Sequence, residues 1–261
     1  MIIKRDFPYS LKNGANRPLH IWLPDSYYAS NEHYPVMYFF DGLNHFDDRD
    51  ATYGKSWGRK AVLEGWGKEM IVVGIECGHE GQERLSEYLP YPAAKGSHFD
   101  KFEPLGDATM QWILNDIKPV IDRDYRTIPF RECTAIGGSS MGGIMALYGA
   151  VHYNRWFSTA ACVSTAMGFC MPPLILDMER GTIDPDTRIY LSWGTREARK
   201  IRHDRGARSS QTYYNNTAVA DRLKKVKATV KMECQVGGGH CEADWEKLVP
   251  SFMTFLWQNK K

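Results

Sequence analysis

Seven short apolar runs restrict more than any other feature how this chain of 261 residues can fold. The central runs are continuous rather than alternating, which is typical of strands buried on both faces of a mostly parallel sheet. Such a sheet needs helices on both faces, so the pattern predicts an α/β fold. The predicted strands cover residues 19–23, 36–40, 71–75, 133–137, 159–163, 189–193 and 230–236.

Segments with helical spacing lie between these runs or follow the last of them. Residues 142–153, 212–226 and 242–257 predict helices, and so do residues 107–121. The chain has no internal repeat, low-complexity tract or long linker, so we expect one domain over residues 1–261. In the segment 107–121 the apolar side chains fall on one helical stripe, formed by Met110, Ile113, Leu114, Ile117 and Ile121.

The charge, the amino terminus and the cysteines argue against several classes of protein. A formal net charge of +2 gives no reason to expect nucleic acid or an anionic membrane as a partner. Residues 1–6 lack the apolar stretch of a secretory signal, and no run approaches the roughly 18 apolar residues that span a bilayer. The six cysteines form no CxxC pair. We therefore expect a cytoplasmic protein with free thiols.

A glycine-rich stretch joins the predicted strand 133–137 to the predicted helix 142–153. It contains Gly138-x-Ser140-x-Gly142, the pattern of a nucleophile elbow in its strand–turn–helix context. Centring the pattern on Ser139 would put Met141 where the second glycine belongs. A phosphate loop of the Walker type would need Gly-Lys-Ser/Thr, which is absent here. The motif predicts Ser140 as a nucleophile, with the N–H of Met141 as one oxyanion donor.

A general base and an acid are expected to follow the nucleophile in the order acid, then histidine. His240 comes directly after three glycines that follow the last predicted strand, so a flexible loop can bring its imidazole to the serine. Glu197 follows the strand 189–193 and is the predicted acid. Asp204 and Asp186 are its competitors.

The loop after the strand 36–40 is expected to provide the second oxyanion donor. It reads Asp41-Gly42-Leu43-Asn44, and the glycine permits a tight turn. The N–H of Leu43 is the predicted donor. Asp41 either braces this loop or simply ends the strand.

These motifs together resemble the esterase D-like branch of α/β hydrolases, which includes feruloyl, acetyl-xylan, tributyrin and enterochelin esterases. The similarity extends from about Tyr34 to Trp257. Besides the elbow, the stretch at Glu197 and His240 with Trp245, it includes the Asp41-Gly42 loop and the sequence Ile-Asp-Arg-Asp-Tyr-Arg-Thr at 121–127.

The resemblance implies an α/β-hydrolase fold, a serine esterase activity, and neither a metal nor an organic cofactor. With 261 residues we expect no large separate lid domain. Two departures from the family pattern matter. Many members carry Asp where Glu197 stands. Others carry His-Gly in place of Asp41-Gly42, which points toward the enterochelin and carbohydrate-esterase members.

Several other residues are candidates for substrate contacts. Trp57 either walls the substrate pocket or belongs to the core, and Trp245 is a further candidate. Arg84 either receives a polar group of the substrate or pairs with Glu87. Acidic residues at 47–50 lack the spacing of a calcium loop. A basic segment either favours anionic substrates, contacts another subunit of a homo-oligomer or is simply solvated; it contains Arg196, Arg199, Lys200, Arg202, Arg205 and Arg208.

The sequence thus predicts a serine carboxylesterase that forms an acyl-enzyme on Ser140. The expected partner is a small ester with a short acyl chain, an acetylated carbohydrate or a hydroxycinnamoyl group. A siderophore-lactone esterase or an acyltransferase would use the same triad. A protein that only binds ligands is the alternative from another class, and it would not need the reactive serine.

Overall fold

The computed structural model describes residues 1–197 and 210–258, which contain a sheet of eight strands. Their order across the sheet is β1-β2-β4-β3-β5-β6-β7-β8. The pairs β1–β2 and β2–β4 are antiparallel, and every other neighbouring pair is parallel. The predicted mostly parallel sheet is therefore confirmed. The strands are β1 Ile2–Pro8, β2 Asn16–Trp22, β3 Val36–Phe40, β4 Ile71–Ile75, β5 Thr134–Ser139, β6 Thr159–Val163, β7 Arg188–Gly194 and β8 Thr229–Gln235.

The apolar runs correspond to the interior of this sheet. Every residue of β3, β4, β5 and β6 is buried, as continuous apolar strands covered on both faces should be. Strand β1 was not predicted because it lies at the edge of the sheet, where only Phe7 among its seven residues is fully buried. An edge strand needs no continuous apolar run.

Helices cover both faces of the sheet. One core cluster lies between the sheet and helices α3 to α7, and a second lies between the sheet and helices α1, α8 and α9. A turn of π-helix, Ile113–Ile117, joins α3 to α4. The helices are α1 Arg59–Gly65, α2 Glu83–Glu87, α3 Gly106–Trp112, α4 Lys118–Asp124, α5 Met141–His152, α6 Met171–Arg180, α7 Gln211–Lys225, α8 Glu242–Trp245 and α9 Val249–Leu256.

Two predicted helices are interrupted in the structure, and a proline accounts for each interruption. The apolar stripe of 107–121 is buried as predicted, but the π-turn lies where Pro119 has no N–H for the carbonyl of Asn115. The single helix predicted over 242–257 is wrong. A 3-10 turn, Glu246–Leu248, separates α8 from α9, because Pro250 in the first turn of α9 cannot continue the earlier hydrogen bonds.

Parallel strands bring their carboxyl ends to one edge of the sheet, and the candidate residues lie there. The loop from Asp41 follows β3, Ser140 follows β5, Ser164 follows β6, Glu197 follows β7 and His240 follows β8. Residues separated by about 200 positions in the chain thereby become neighbours.

Within residues 1–197 and 210–258, no helix combines the length and the apolar character that are needed to cross a bilayer.

Candidate active site

Ser140 stands in a strained turn between β5 and α5. Its backbone angles, φ 54° and ψ −117°, belong to a region that residues other than glycine rarely occupy. Its N–H donates to the carbonyl of Val163 at 3.0 Å, and its own carbonyl accepts from the N–H of Ala166 at 3.0 Å. Bonds to the neighbouring β6 loop therefore hold the serine in this conformation.

The two glycines of the elbow are required by close packing. A Cβ placed on Gly138 would lie 2.4 Å from the backbone carbonyl of Gly142, and one placed on Gly142 would lie 2.9 Å from the Cβ of Phe40. Gly138 therefore allows the start of α5 to approach β5, and Gly142 allows it to approach Phe40 of β3. Because α5 begins at Met141, the N–H of that residue is among the first four of a helix, which have no acceptor within the helix.

A second close approach positions the loop after β3. Asp41 has a positive φ of 60°, and the chain then forms a 3-10 turn over Gly42–Asn44. A Cβ on Gly42 would lie 2.5 Å from the carbonyl carbon of Gly74 in β4, so the turn rests directly on the neighbouring strand. This contact sets the position of Leu43, which lines the same cavity as Ser140.

His240 faces a buried carboxylate. Its Nδ1 lies 3.6 Å from Oε2 of Glu197, slightly beyond hydrogen-bond length but within the range of an ion pair. The imidazole packs against the ring of Trp245 in an edge arrangement, with 5.0 Å between the ring centroids. The side chain of Glu197 is only 9% exposed, whereas that of His240 is 41% exposed.

The other oxygen of Glu197 is held by two donors. Oε1 accepts from the Oγ of Ser164 at 2.6 Å and from the N–H of Gly194 at 2.6 Å. The indole N–H of Trp245 donates in turn to the Oγ of Ser164 at 2.8 Å. These bonds leave Oε2 facing the imidazole of His240. Ser164 was not predicted from the sequence, although its place directly after a buried strand is a signal that identifies it.

The turn after β7 and the loop that carries His240 are bonded to each other. Gly194 lies so close to Gly238 that a Cβ on it would be 2.3 Å from the carbonyl oxygen of Gly238. The N–H of Arg196 donates to that same carbonyl at 2.9 Å, and the Oγ1 of Thr195 accepts from the N–H of Gly237 at 2.8 Å. The separation between Glu197 and His240 therefore rests on several backbone contacts.

Ser140 and His240 line one cavity of about 560 Å³ at the carboxyl edge of the sheet. Leu43, Arg84 and Trp245, which were predicted to lie at the site, also line it. His240 and Glu197 border a smaller cavity of about 280 Å³ as well, whose wall includes Ala166, Thr212 and Asn215.

Arg84 pairs with Asp41 and not with Glu87. Its Nε and Nη2 donate to the two carboxylate oxygens of Asp41 at 2.6 and 2.8 Å. The expected pair with Glu87 is wrong, because Glu87 instead accepts from Nη2 of Arg17 at 2.5 Å. Asp41 therefore braces the loop after β3, the first of the two roles considered for it.

The two tryptophans differ in position. Trp57, a candidate for substrate contact, is only 1% exposed and does not line the cavity. Its ring packs against Phe39, Phe252 and the back of Trp245, so it belongs to the core and the assignment to the pocket wall is wrong. Trp245 lines the cavity, and its described contacts support His240 and Ser164.

Asp186 and Asp204 were the alternatives to Glu197 as the catalytic acid, and the structure describes only the first of them. Asp186 precedes β7, at the opposite end of that strand from Glu197, and pairs with Nη1 of Arg131 at 2.7 Å. It is therefore wrong as a candidate acid. Asp204 lies outside the described residues, as does most of the basic segment, namely Arg199, Lys200, Arg202, Arg205 and Arg208.

The sheet order, the helices on both faces and the elbow after β5 define an α/β-hydrolase fold. Solved structures share it. A serine hydrolase from Shewanella oneidensis described as IroE-like superposes with a TM-score of 0.74 at 18% identity, over 98% of this chain and 80% of the other. The enterobactin esterase FES from Shigella flexneri superposes with a TM-score of 0.71 at 17% identity, over 99% of this chain and 59% of the other.

The chain belongs to the family described as Putative esterase, whose model matches residues 10–255. A curated relative, the uncharacterised protein YbbA of Bacillus subtilis, is 24% identical over 188 residues, which cover 71% of each protein. The predicted family is thus confirmed, and membership supports the function of a carboxylic ester hydrolase.

Proposed function

We propose that this protein is a serine carboxylesterase in which Ser140 is the nucleophile, His240 the general base and Glu197 the acid. The observation that carries the proposal is the strained Ser140 in the same cavity as His240, whose Nδ1 faces a buried carboxylate. Strain at a serine that shares a cavity with an imidazole has a catalytic explanation, whereas a structural turn would not need it.

The acylation step follows from the proposed roles. A carboxylate facing Nδ1 favours the tautomer with a proton on that nitrogen, so Nε2 is free to accept the proton of Ser140. The Oγ then attacks the ester carbonyl carbon, and the N–H groups of Leu43 and Met141 stabilise the negative charge on the carbonyl oxygen. When the intermediate collapses, the bond to the alcohol breaks and His240 returns the proton to the leaving oxygen.

Deacylation repeats these roles with water. His240 takes a proton from a water molecule, whose oxygen attacks the acyl carbon, and Ser140 leaves with the proton from His240.

Two features of the cavity support small esters with short acyl chains or polar alcohol portions as substrates. The His240 side chain in the cavity wall is partly exposed to solvent, and acidic, basic and thiol groups contribute to the same wall.

Labelling with a fluorophosphonate tests the proposed nucleophile directly. The probe forms a bond from Ser140 Oγ to its phosphorus with loss of fluoride, and intact mass with peptide mapping should find one modification, on residue 140. Hydrolysis of p-nitrophenyl acetate should disappear in step with the labelling. A protein that remains unmodified under conditions that label a known serine esterase would instead be a binding protein.

Replacing Gly42 by alanine should test the second oxyanion donor. The added Cβ would overlap the backbone of Gly74, so we expect a loss of about 1–3 kcal/mol in the free energy of unfolding. Displacement of the Leu43 N–H should lower kcat by roughly 100-fold, as for the loss of an oxyanion donor. Denaturant unfolding and ester hydrolysis give the two measurements.

The matched control is Gly65→Ala at the end of α1, where an added Cβ meets no atom within 4 Å. This variant should keep its activity and gain a few tenths of a kcal/mol or more in stability. Equal activity in the two variants would contradict the role given to the loop after β3.

A further inference from the structure

Glu242 is a buried acid in the wall of the catalytic cavity with no role in the mechanism above. It begins α8, two residues after His240, and is only 7% exposed. It lines the 560 Å³ cavity together with Ser140, His240 and Arg84. Buried carboxylates in proteins are usually paired or hydrogen-bonded, so its environment needs an explanation.

Within the described part of the chain, the Glu242 carboxylate accepts a hydrogen bond only from its own backbone N–H. The other buried acids are better satisfied. Glu87 accepts from Arg17 and from the N–H of Gly78, and Glu197 accepts from Ser164 and Gly194. The carboxylate of Glu242 can therefore accept further hydrogen bonds from a molecule in the cavity.

The charged groups around Glu242 do not supply these further hydrogen bonds. Arg84 already donates through Nε and Nη2 to Asp41. Burial raises the pKa of the Glu242 carboxyl, the charge on Asp41 raises it further, and the charges on His240 and Arg84 oppose this increase. Burial of the charged Glu242 carboxylate therefore costs free energy, and a hydrogen-bond donor on a bound molecule would reduce that cost.

We propose that Glu242 determines specificity by accepting a hydrogen bond from a hydroxyl group on the alcohol portion of the ester. The inference rests on the proposed esterase mechanism. His240 must return a proton to the leaving oxygen, so the alcohol portion has to lie against the imidazole. Glu242, two residues further along the chain, lines the same cavity.

The charges in the cavity favour a hydroxyl group over an ammonium group. Arg84 is paired with Asp41, so the charge it adds to the cavity is largely balanced, whereas His240 becomes a cation in the transition state and would repel a positively charged alcohol portion when stabilisation matters most. A hydroxyl donates to the carboxylate without adding charge. The substrate class is therefore an ester of a polyhydroxylated, uncharged alcohol such as a glycerol or sugar derivative.

The test compares glyceryl monoacetate with n-propyl acetate, which have similar size but differ in the hydroxyl groups. The ratio of their kcat/KM values should fall about 10- to 100-fold in Glu242→Met, as expected for the loss of a hydrogen bond to a charged acceptor. Glu242→Gln, which keeps a neutral acceptor, should lie between the wild type and Glu242→Met. Glu246→Gln is the control, because Glu246 pairs with Lys55 and lies outside the cavity wall.

Other outcomes would overturn the inference. An equal loss on both esters would mean that Glu242 acts through His240 or through the fold. A loss confined to methyl 3-hydroxybutyrate relative to methyl butyrate would place the contact on the acyl portion. A loss confined to acetylcholine would identify a cationic alcohol. If Ser140 is labelled and n-propyl acetate is hydrolysed while the ratio stays constant, only this inference fails; if Ser140 is not labelled, the proposed mechanism fails first.

Stability gives a readout that does not depend on activity. An acid whose pKa is raised by folding contributes stability below the pKa of the unfolded chain, near about 4.3, and this contribution is lost as the pH rises through the folded pKa. Glu242→Gln removes the titration. Its melting temperature relative to the wild type should therefore increase between about pH 4 and pH 8. A constant difference would show that the carboxylate is already satisfied and would remove the basis of the inference.

Discussion

Ser140→Ala is expected to lower kcat for p-nitrophenyl acetate by roughly 10⁴- to 10⁶-fold while the protein stays folded. The alanine removes the only atom that forms the acyl bond, but it changes no backbone contact of the elbow. Residual hydrolysis would come from the oxyanion donors and from binding alone. The measurement is steady-state hydrolysis alongside a circular dichroism melt of the same sample.

Ser139→Ala and Ser140→Gly test the same role for Ser140. Ser139→Ala changes the neighbouring serine of the elbow motif and should retain most of the activity. Ser140→Gly should be as inactive as Ser140→Ala but more stable, by about 1 kcal/mol, because glycine adopts the φ of 54° without strain. Full activity in either Ser140 variant would eliminate this residue as the nucleophile. Equal melting temperatures for the two would show that the turn stores no strain.

Glu197→Gln is expected to have the second largest effect, a decrease in kcat of about 10³- to 10⁴-fold. The N–H of Gly194 can only donate, so the side-chain carbonyl oxygen of the glutamine must take the place of Oε1. Its NH₂ group then faces Nδ1 of His240 and favours the tautomer that carries the proton on Nε2. In that tautomer the imidazole cannot accept the proton of Ser140.

The comparison variant is Asp204→Asn, which removes the other acid that the sequence left open. We expect it to retain most of the wild-type activity. A large loss in Asp204→Asn together with a small loss in Glu197→Gln would transfer the role to Asp204. The melting temperature of each variant, measured in parallel, separates a catalytic loss from unfolding.

The sequence by itself determined the fold class and most of the strands. The apolar runs of β3, β4 and β6 match the observed strands residue for residue, because a strand covered on both faces is apolar along nearly its whole length. Local chemistry was equally informative at the elbow. The glycines on both sides of Ser140 follow from two close approaches of the start of α5, to β5 at Gly138 and to Phe40 of β3 at Gly142, and both glycines are visible in the sequence.

Only the tertiary structure decided which side chains meet. Arg84 pairs with Asp41 rather than with Glu87 because the loops after β3 and β4 lie side by side at the sheet edge, and spacing along α2 does not reveal that neighbour. The burial of Trp57, the support that Ser164 gives to Glu197 and the place of Glu242 in the cavity wall depend in the same way on contacts between distant segments. Periodicity reports which face of an element is covered, whereas the partner on that face is set by how the strands are ordered.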